Sequence, residues 1–163
     1  MGRFSANLFE GGDFWQLDEK TLAIGTLQRS DEKGIQSLRD QLEPLGYTII
    51  SVASDPAYLH LDMIFNIVGE KTAVTYYDGL PPEFKAYLDE AGYDLIKIEE
   101  AGVFKHFCNL QALGNKRVIS LSANTKVNAQ LRERGFKVFE LEASEILKTG
   151  GGPHCMTFRF RRS

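Results

Sequence analysis

The chain has 163 residues, enough for one moderate core. Its 43% hydrophobic and 25% charged content is ordinary for a folded globular protein and argues against a disordered or collagen-like chain. A formal net charge of −3 gives no overall drive toward nucleic acid or an anionic membrane, and two cysteines are too few for a disulfide framework, which makes a reducing cytoplasm the expected compartment.

No apolar run approaches the roughly 18 residues of a membrane span. The start, Met1 to Asn7, lacks an apolar signal core, so secretion is not expected.

In chain order, one pattern recurs. Gly46-Tyr47-Thr48-Ile49-Ile50 returns as Gly92-Tyr93-Asp94-Leu95-Ile96 and again as Gly135-Phe136-Lys137-Val138-Phe139. The spacings are 46 and 43 residues. Each Gly follows a helical stretch and precedes an apolar strand, the place of a left-handed residue closing a helix. The spacing predicts a first helix capped by Ser30 with Ile35, Leu38 and Leu42 on one face. Pro81-Pro82 opens a second, with Phe84, Leu88 and Ala91 in register. Asn124 caps a third, with Val127 and Leu131 inward.

Two short strands around a tight turn precede each helix. The turns fall at Asp18-Glu19-Lys20, Gly69-Glu70 and Gly114-Asn115. The second strands are Leu22-Ala23-Ile24, Ala73-Val74-Thr75 and Val118-Ile119-Ser120. Each unit is therefore β-β-α-β in an α+β chain, with units at about 10–53, 59–99 and 108–142 and a final strand at 153–160. A period near 45 residues is the mark of stacked or radially arranged units. The plainer alternative is one α+β domain whose connections share turn chemistry.

If the units circle an axis, equivalent positions meet near it. Glu10 and His60 lie 8 and 9 residues before their hairpin turns, and Cys155 takes a similar place in the last strand, after a glycine run. The three would then converge. Gly150-Gly151-Gly152-Pro153-His154-Cys155 has no Gly-Lys-Ser/Thr ending, so it is not a phosphate loop. It reads either as a nucleophile loop or as a structural cysteine beside a turn. His60-Leu61-Asp62 on a strand would point both polar side chains to one face. Taken alone, that His reads as an exposed strand edge. Glu10-Gly11-Gly12-Asp13 is either a solvated turn or a carboxylate that orients an imidazole. Zinc on His106, Cys108, His154 and Cys155 is disfavoured by the spacing, and Cys108 reads as a small buried residue. Phe14, Trp15 and Leu17 read as core. Arg159, Arg161 and Arg162 form a short basic end, too brief for nucleic acid.

Phe9-Glu10-Gly11-Gly12-Asp13, Gly25 to Arg29-Ser30, His60-Leu61-Asp62 and the run from Gly150 to Thr157 resemble the guanidine-modifying (amidinotransferase) superfamily. It includes arginine deiminases, dimethylarginine dimethylaminohydrolases and glycine amidinotransferases. Cys108-Asn109 through Leu113, and Ser144 to Lys148, resemble its bacterial dimethylargininase-like branch. The resemblance implies a pentein-type α/β propeller of five units, of which this chain would hold three plus a strand. It implies Cys155 as nucleophile, His60 as general acid/base, Glu10 as its partner, Asp62 as the carboxylate gripping the guanidinium and Arg29 as a ligand of the substrate carboxylate. No cofactor and no metal are implied.

The family's other guanidinium-binding aspartate, in a Phe-x-Arg-Asp segment, has no counterpart here. The expected function is therefore the C-terminal part of a guanidine hydrolase acting on arginine or a methylated arginine. An amidinotransferase and a catalytically silent assembly module are the alternatives. An open ring leaves strand edges to be covered, so the expected partner is a second copy or a complementary N-terminal half.

Overall fold

The computed structural model describes residues 10–148 and 150–157. Three β-β-α-β units follow one another. The first holds β1 (Phe14–Gln16), β2 (Thr21–Thr26), α1 (Glu32–Leu42) and β3 (Thr48–Ala53). The second holds β4 (Phe65–Gly69), β5 (Thr72–Thr75), α2 (Pro82–Glu90) and β6 (Asp94–Lys97). The third holds β7 (Gln111–Gly114), β8 (Arg117–Leu121), α3 (Thr125–Glu133) and β9 (Lys137–Leu141). A short α4 (Ser144–Leu147) follows.

Each unit forms its own three-stranded sheet with the second strand in the middle. The first strand pairs antiparallel to it across the tight turn, and the third pairs parallel to it after the helical crossover. The middle strands carry the most apolar sequence because both edges are paired: β2 is buried from Leu22 through Gly25. Among the described residues no closed barrel forms, and no helix is long and apolar enough to cross a membrane.

Repeat glycines sit where the sequence puts them. Gly46, Gly92 and Gly135 have φ of 82°, 71° and 80°. Each lets the chain leave its helix in the left-handed region and enter the third strand.

The core lies mainly between units. One cluster joins Leu17, Ala23 and Val52 of the first unit to Phe65, Phe84 and Leu88 of the second. Another joins Val74 and Ile96 to Val118, Val127, Leu131 and Phe136. A third, smaller cluster seats Ile35, with Leu38 and Leu42 beside it, on Leu22, Ile24 and Ile49. Polar bonds lock the seams. Tyr93 donates its hydroxyl to the Leu17 carbonyl at 2.9 Å, and burial pushes its pKa up to about 12. The Asn66 amide donates to the carbonyls of Cys108 and Leu110, both at 2.7 Å.

Four local expectations need correction. Asp31, not Ser30, caps α1, accepting from the Gly34 amide at 2.7 Å. Ser30 is buried and turned toward Asp13 instead. Asn124 holds the capping position of α3 but its side chain does not cap; it donates to the Phe107 carbonyl. His60-Leu61-Asp62 is not a strand: Leu61–Met63 is a single 3-10 turn with His60 at its N-terminus. Pro153 to Met156 form a turn rather than the start of a strand. The rest of that expected strand, at 158–160, lies outside the described residues, as do Phe9 and the basic end Arg159, Arg161 and Arg162.

The left-handed glycines give a direct test. A Cβ on Gly92 would meet nothing within 4 Å, so only the backbone conformation resists substitution. Gly92→Ala is expected to lower unfolding stability by about 1–2 kcal/mol, read from the midpoint in urea. An unchanged midpoint would show that the left-handed turn carries no weight.

Candidate active site

The segments just before the first strands of the three units face one another. Glu10 and Asp13 precede β1, His60 and Asp62 precede β4, and Asn109 precedes β7. The loop Gly150–Cys155 closes over them. Between them lies a cleft of about 880 Å³ whose walls include Glu10, Trp15, His60, Asp62, His154 and Cys155.

Asp13 builds the first corner. Its carboxylate is fully buried, accepting the Ser30 hydroxyl at 2.6 Å and the Leu61 amide at 2.7 Å. The Ser30 oxygen in turn accepts the Glu10 amide at 3.1 Å. One buried carboxylate thus fixes the Glu10 and His60 backbones together. Desolvation raises the Asp13 pKa, against the lowering effect of both hydrogen bonds. His60 Nε2 lies 2.7 Å from Glu10 Oε2. Gly12 permits this closeness, since a Cβ there would stand 2.7 Å from the His60 ring.

Asn109 builds the second corner. Its side-chain oxygen accepts the amides of His154 and Cys155 at 3.0 and 3.2 Å, and its amide nitrogen donates to Cys155 Sγ at 3.1 Å. Gly152 lies so close that a Cβ would stand 2.6 Å from the Asn109 oxygen. The glycine run is therefore a tight path past Asn109.

Asp62 stands at the centre. Its side chain is buried, with Oδ2 2.8 Å from His154 Nδ1 and 3.3 Å from Cys155 Sγ. Oδ1 has no hydrogen-bond partner. The Cys155 thiol is pushed up to about 11, first by desolvation and next by the Asp62 charge, against the lowering bond from Asn109. At neutral pH the ligand-free sulfur is a thiol. Cys108 is fully buried, its pKa raised further by desolvation, and it plays no part in the cleft.

Glu10, His60, Asp62 and Cys155 thus line one cleft. Arg29 does not join them: it is exposed, 3.8 Å from Glu10 Oε1, and is not among the residues lining the cleft. Three contributors escaped the sequence reading. Asn109 was part of a resemblance without a role. It lies two residues before β7, as Asp62 lies three before β4, and that approximate likeness of place is the only signal the sequence offers. His154 enters the sequence reading only as a disfavoured zinc ligand beside the cysteine. Trp15 packs against the core as expected and is also a wall of the cleft: its indole stacks on the His154 ring at 4.9 Å between centroids and 27° between planes. Among the described residues no group of three His, Cys, Asp or Glu side chains is arranged to hold a metal.

The chain is similar to known proteins throughout. It is 38% identical to the Bacillus subtilis (strain 168) protein YkgA over 148 residues, covering 91% of this chain and 50% of that one. It is 26% identical to arginine deiminase of Streptococcus uberis over 190 residues, covering 94% of this chain and 46% of the relative. The chain thus spans about half the length of the curated relatives it matches. Its fold matches DDAH from Pseudomonas aeruginosa complexed with citrulline, with a TM-score of 0.74 at 22% identity over 91% of this chain and 54% of that one. The fold likeness, together with a family-model match over residues 3–162, makes this a protein of the guanidine-modifying superfamily. Within it, the profile described as "N,N dimethylarginine dimethylhydrolase, eukaryotic" matches residues 3–162, and the chain belongs to that family.

The charge beside the sulfur sets a measurable property. Alkylation of Cys155 by neutral iodoacetamide is expected to rise with pH toward a midpoint near 11. Asp62→Asn removes the negative charge that opposes the thiolate, so the midpoint moves to lower pH. A shift of one unit would speed alkylation at pH 8 about tenfold. A midpoint that stays in place would show that Asp62 does not act on the sulfur.

Proposed function

We propose that this chain carries the catalytic half of a cysteine-dependent guanidine hydrolase acting on arginine or a methylated arginine. The observation that carries the reading is Cys155 Sγ lying 3.3 Å from the buried Asp62 carboxylate, in the cleft shared with the Glu10–His60 pair. A carboxylate that raises a neighbouring thiol's pKa is a poor arrangement for a nucleophile acting alone. It is a good one for a nucleophile that acts on a cation, because the cation cancels the opposing charge on arrival.

The chemistry follows from those positions. The guanidinium docks on Asp62 through charge-assisted hydrogen bonds, and its carbon comes to the sulfur. His60, held by Glu10, takes the thiol proton, and the sulfur bonds to the guanidinium carbon. The C–N bond to the leaving amine breaks as His60 returns the proton to it. A thiouronium stays on Cys155. Water, deprotonated by His60, attacks that carbon; the C–S bond breaks as His60 returns the proton to the sulfur, and the ureido product leaves after its hydroxyl proton passes to solvent. Guanidine and water have become ureido compound and amine or ammonia. Asn109 aids by donating to the sulfur and by fixing the loop that carries it.

A second copy or a complementary half covers the open edge of the ring. The exposed Phe139 and Leu141 on β9, at the end of the third sheet, are consistent with such a cover. The runner-up is transfer of the amidino group to a second amine, which the same intermediate permits.

Incubating the chain with arginine and with asymmetric dimethylarginine, and quantifying citrulline against transferred amidine, separates these readings. Citrulline is expected, with release abolished in Cys155→Ser and lowered at least about 100-fold in His60→Ala. Transfer without citrulline favours the runner-up. No turnover by the chain alone or with an added complementary half sinks the enzyme reading.

A further inference from the structure

The pair Trp15–His154 is not needed by the mechanism above, yet it sits on its most important carboxylate. The His154 ring stacks on the Trp15 indole with the two planes tilted by 27°, and its Nδ1 meets Asp62 Oδ2 at 2.8 Å. Phe65 packs edge-on against the indole, at 6.3 Å and 88°. A flat, nitrogen-bearing ring therefore rests on an aromatic face with one nitrogen on a carboxylate. This is the shape and the polarity of a docked planar cation.

The seat is only half satisfied. Asp62 Oδ1 is buried without a hydrogen-bond partner, which is costly for a carboxylate oxygen. An imidazole presents one nitrogen to the carboxylate. A guanidinium presents two parallel N–H groups that match both oxygens, and its flat delocalised charge suits an indole face. The two neighbours of the seat are fixed independently of the imidazole. The His154 and Cys155 amides are both held by the Asn109 oxygen, so the His154 side chain can turn away without moving the sulfur's backbone.

We propose that the Trp15 face and the Asp62 carboxylate form a planar-cation subsite, and that the His154 imidazole occupies it in the free protein as a stand-in that the guanidinium must displace. The proposal rests on the reading of Asp62 as the guanidinium grip and adds to it two residues, one as platform and one as competitor. It accounts for the stacked geometry and the unused oxygen together. It also sets a selectivity: flat delocalised cations displace the ring, whereas an ammonium, compact and unable to stack, does not.

Trp15 is the chain's sole tryptophan, so its emission reports the subsite directly. The experiment uses the full chain in a Cys155→Ser background, titrated with methylguanidine and with methylammonium, followed by fluorescence and by calorimetry. His154→Ser is compared with its parent, and His154→Asn serves if the first variant does not fold by circular dichroism. Removing the stacked imidazole is expected to change the resting emission and to tighten methylguanidine binding at least about threefold, because no occupant has to leave. Methylammonium affinity stays equally weak in both. Methylguanidine binding that is unchanged or weaker in the variants overturns the stand-in role while leaving the Asp62 grip intact. Failure of methylguanidine to bind either protein overturns the grip itself, and the subsite with it.

Discussion

A single buried carboxylate makes the cleft possible. Asp13 sits out of water between the first and second units, accepting from the Ser30 hydroxyl and the Leu61 amide. Leu61 separates His60 from Asp62, so fixing its amide fixes both polar neighbours. Ser30 also holds the Glu10 amide, so the same bond network presents Glu10 to His60. The position is expensive. A carboxyl whose pKa is raised on folding holds its proton more tightly when folded, so its contribution favours folding in acid and fades as pH rises from the ordinary range near 3.8 toward the raised value. Asp13 is a cost in stability, offset by two hydrogen bonds and kept where two segments distant in sequence must meet.

The second constraint is electrostatic. Asp62 and Cys155 stand close in a crowded, poorly solvated corner, and burial together with the Asp62 charge makes a thiolate on Cys155 less welcome. In the proposed chemistry this opposition is a safeguard. The sulfur stays a thiol while the seat holds no cation, and it becomes nucleophilic when a guanidinium neutralises Asp62. The Asn109 amide, the one neighbour that lowers the thiol's pKa through its side chain, also anchors the loop, so position and activation come from one residue. Burial separates the two cysteines: Cys108 is fully enclosed and raised further, while Cys155 is exposed at the cleft.

Much of this was legible in the sequence because the repeat is local. Gly46, Gly92 and Gly135 mark helix ends by a steric rule that one residue satisfies, and the middle strands announce themselves by unbroken apolar runs. The convergence of Glu10 and His60 followed from their shared register. What escaped was set by contacts between units. Ser30 looked like a helix cap because its chemistry suits one; Asp13, seventeen residues earlier in the chain, claims its hydroxyl instead. The alternation rule put His60 and Asp62 on one strand face, but the Leu61 amide is drawn to Asp13 and the segment turns. Trp15 reads as core by its bulk and does pack there; its second role, as a wall facing the His154 ring, is set by a segment 139 residues away. Asn109 carries no local signal at all beyond its place before a first strand.

The claim beneath the account is that Asp62 seats a planar cation directly against the Cys155 sulfur. Reaction with 2-chloroacetamidine, whose amidinium mimics a guanidinium, set against neutral chloroacetamide and followed by peptide mass spectrometry, tests it most directly. The account predicts that the amidine labels Cys155 far faster than the neutral reagent, that Cys108 stays unlabelled in the folded protein, and that Asp62→Asn erases the amidine's advantage. Equal, slow labelling by both reagents, or an advantage that survives loss of the carboxylate, would contradict it.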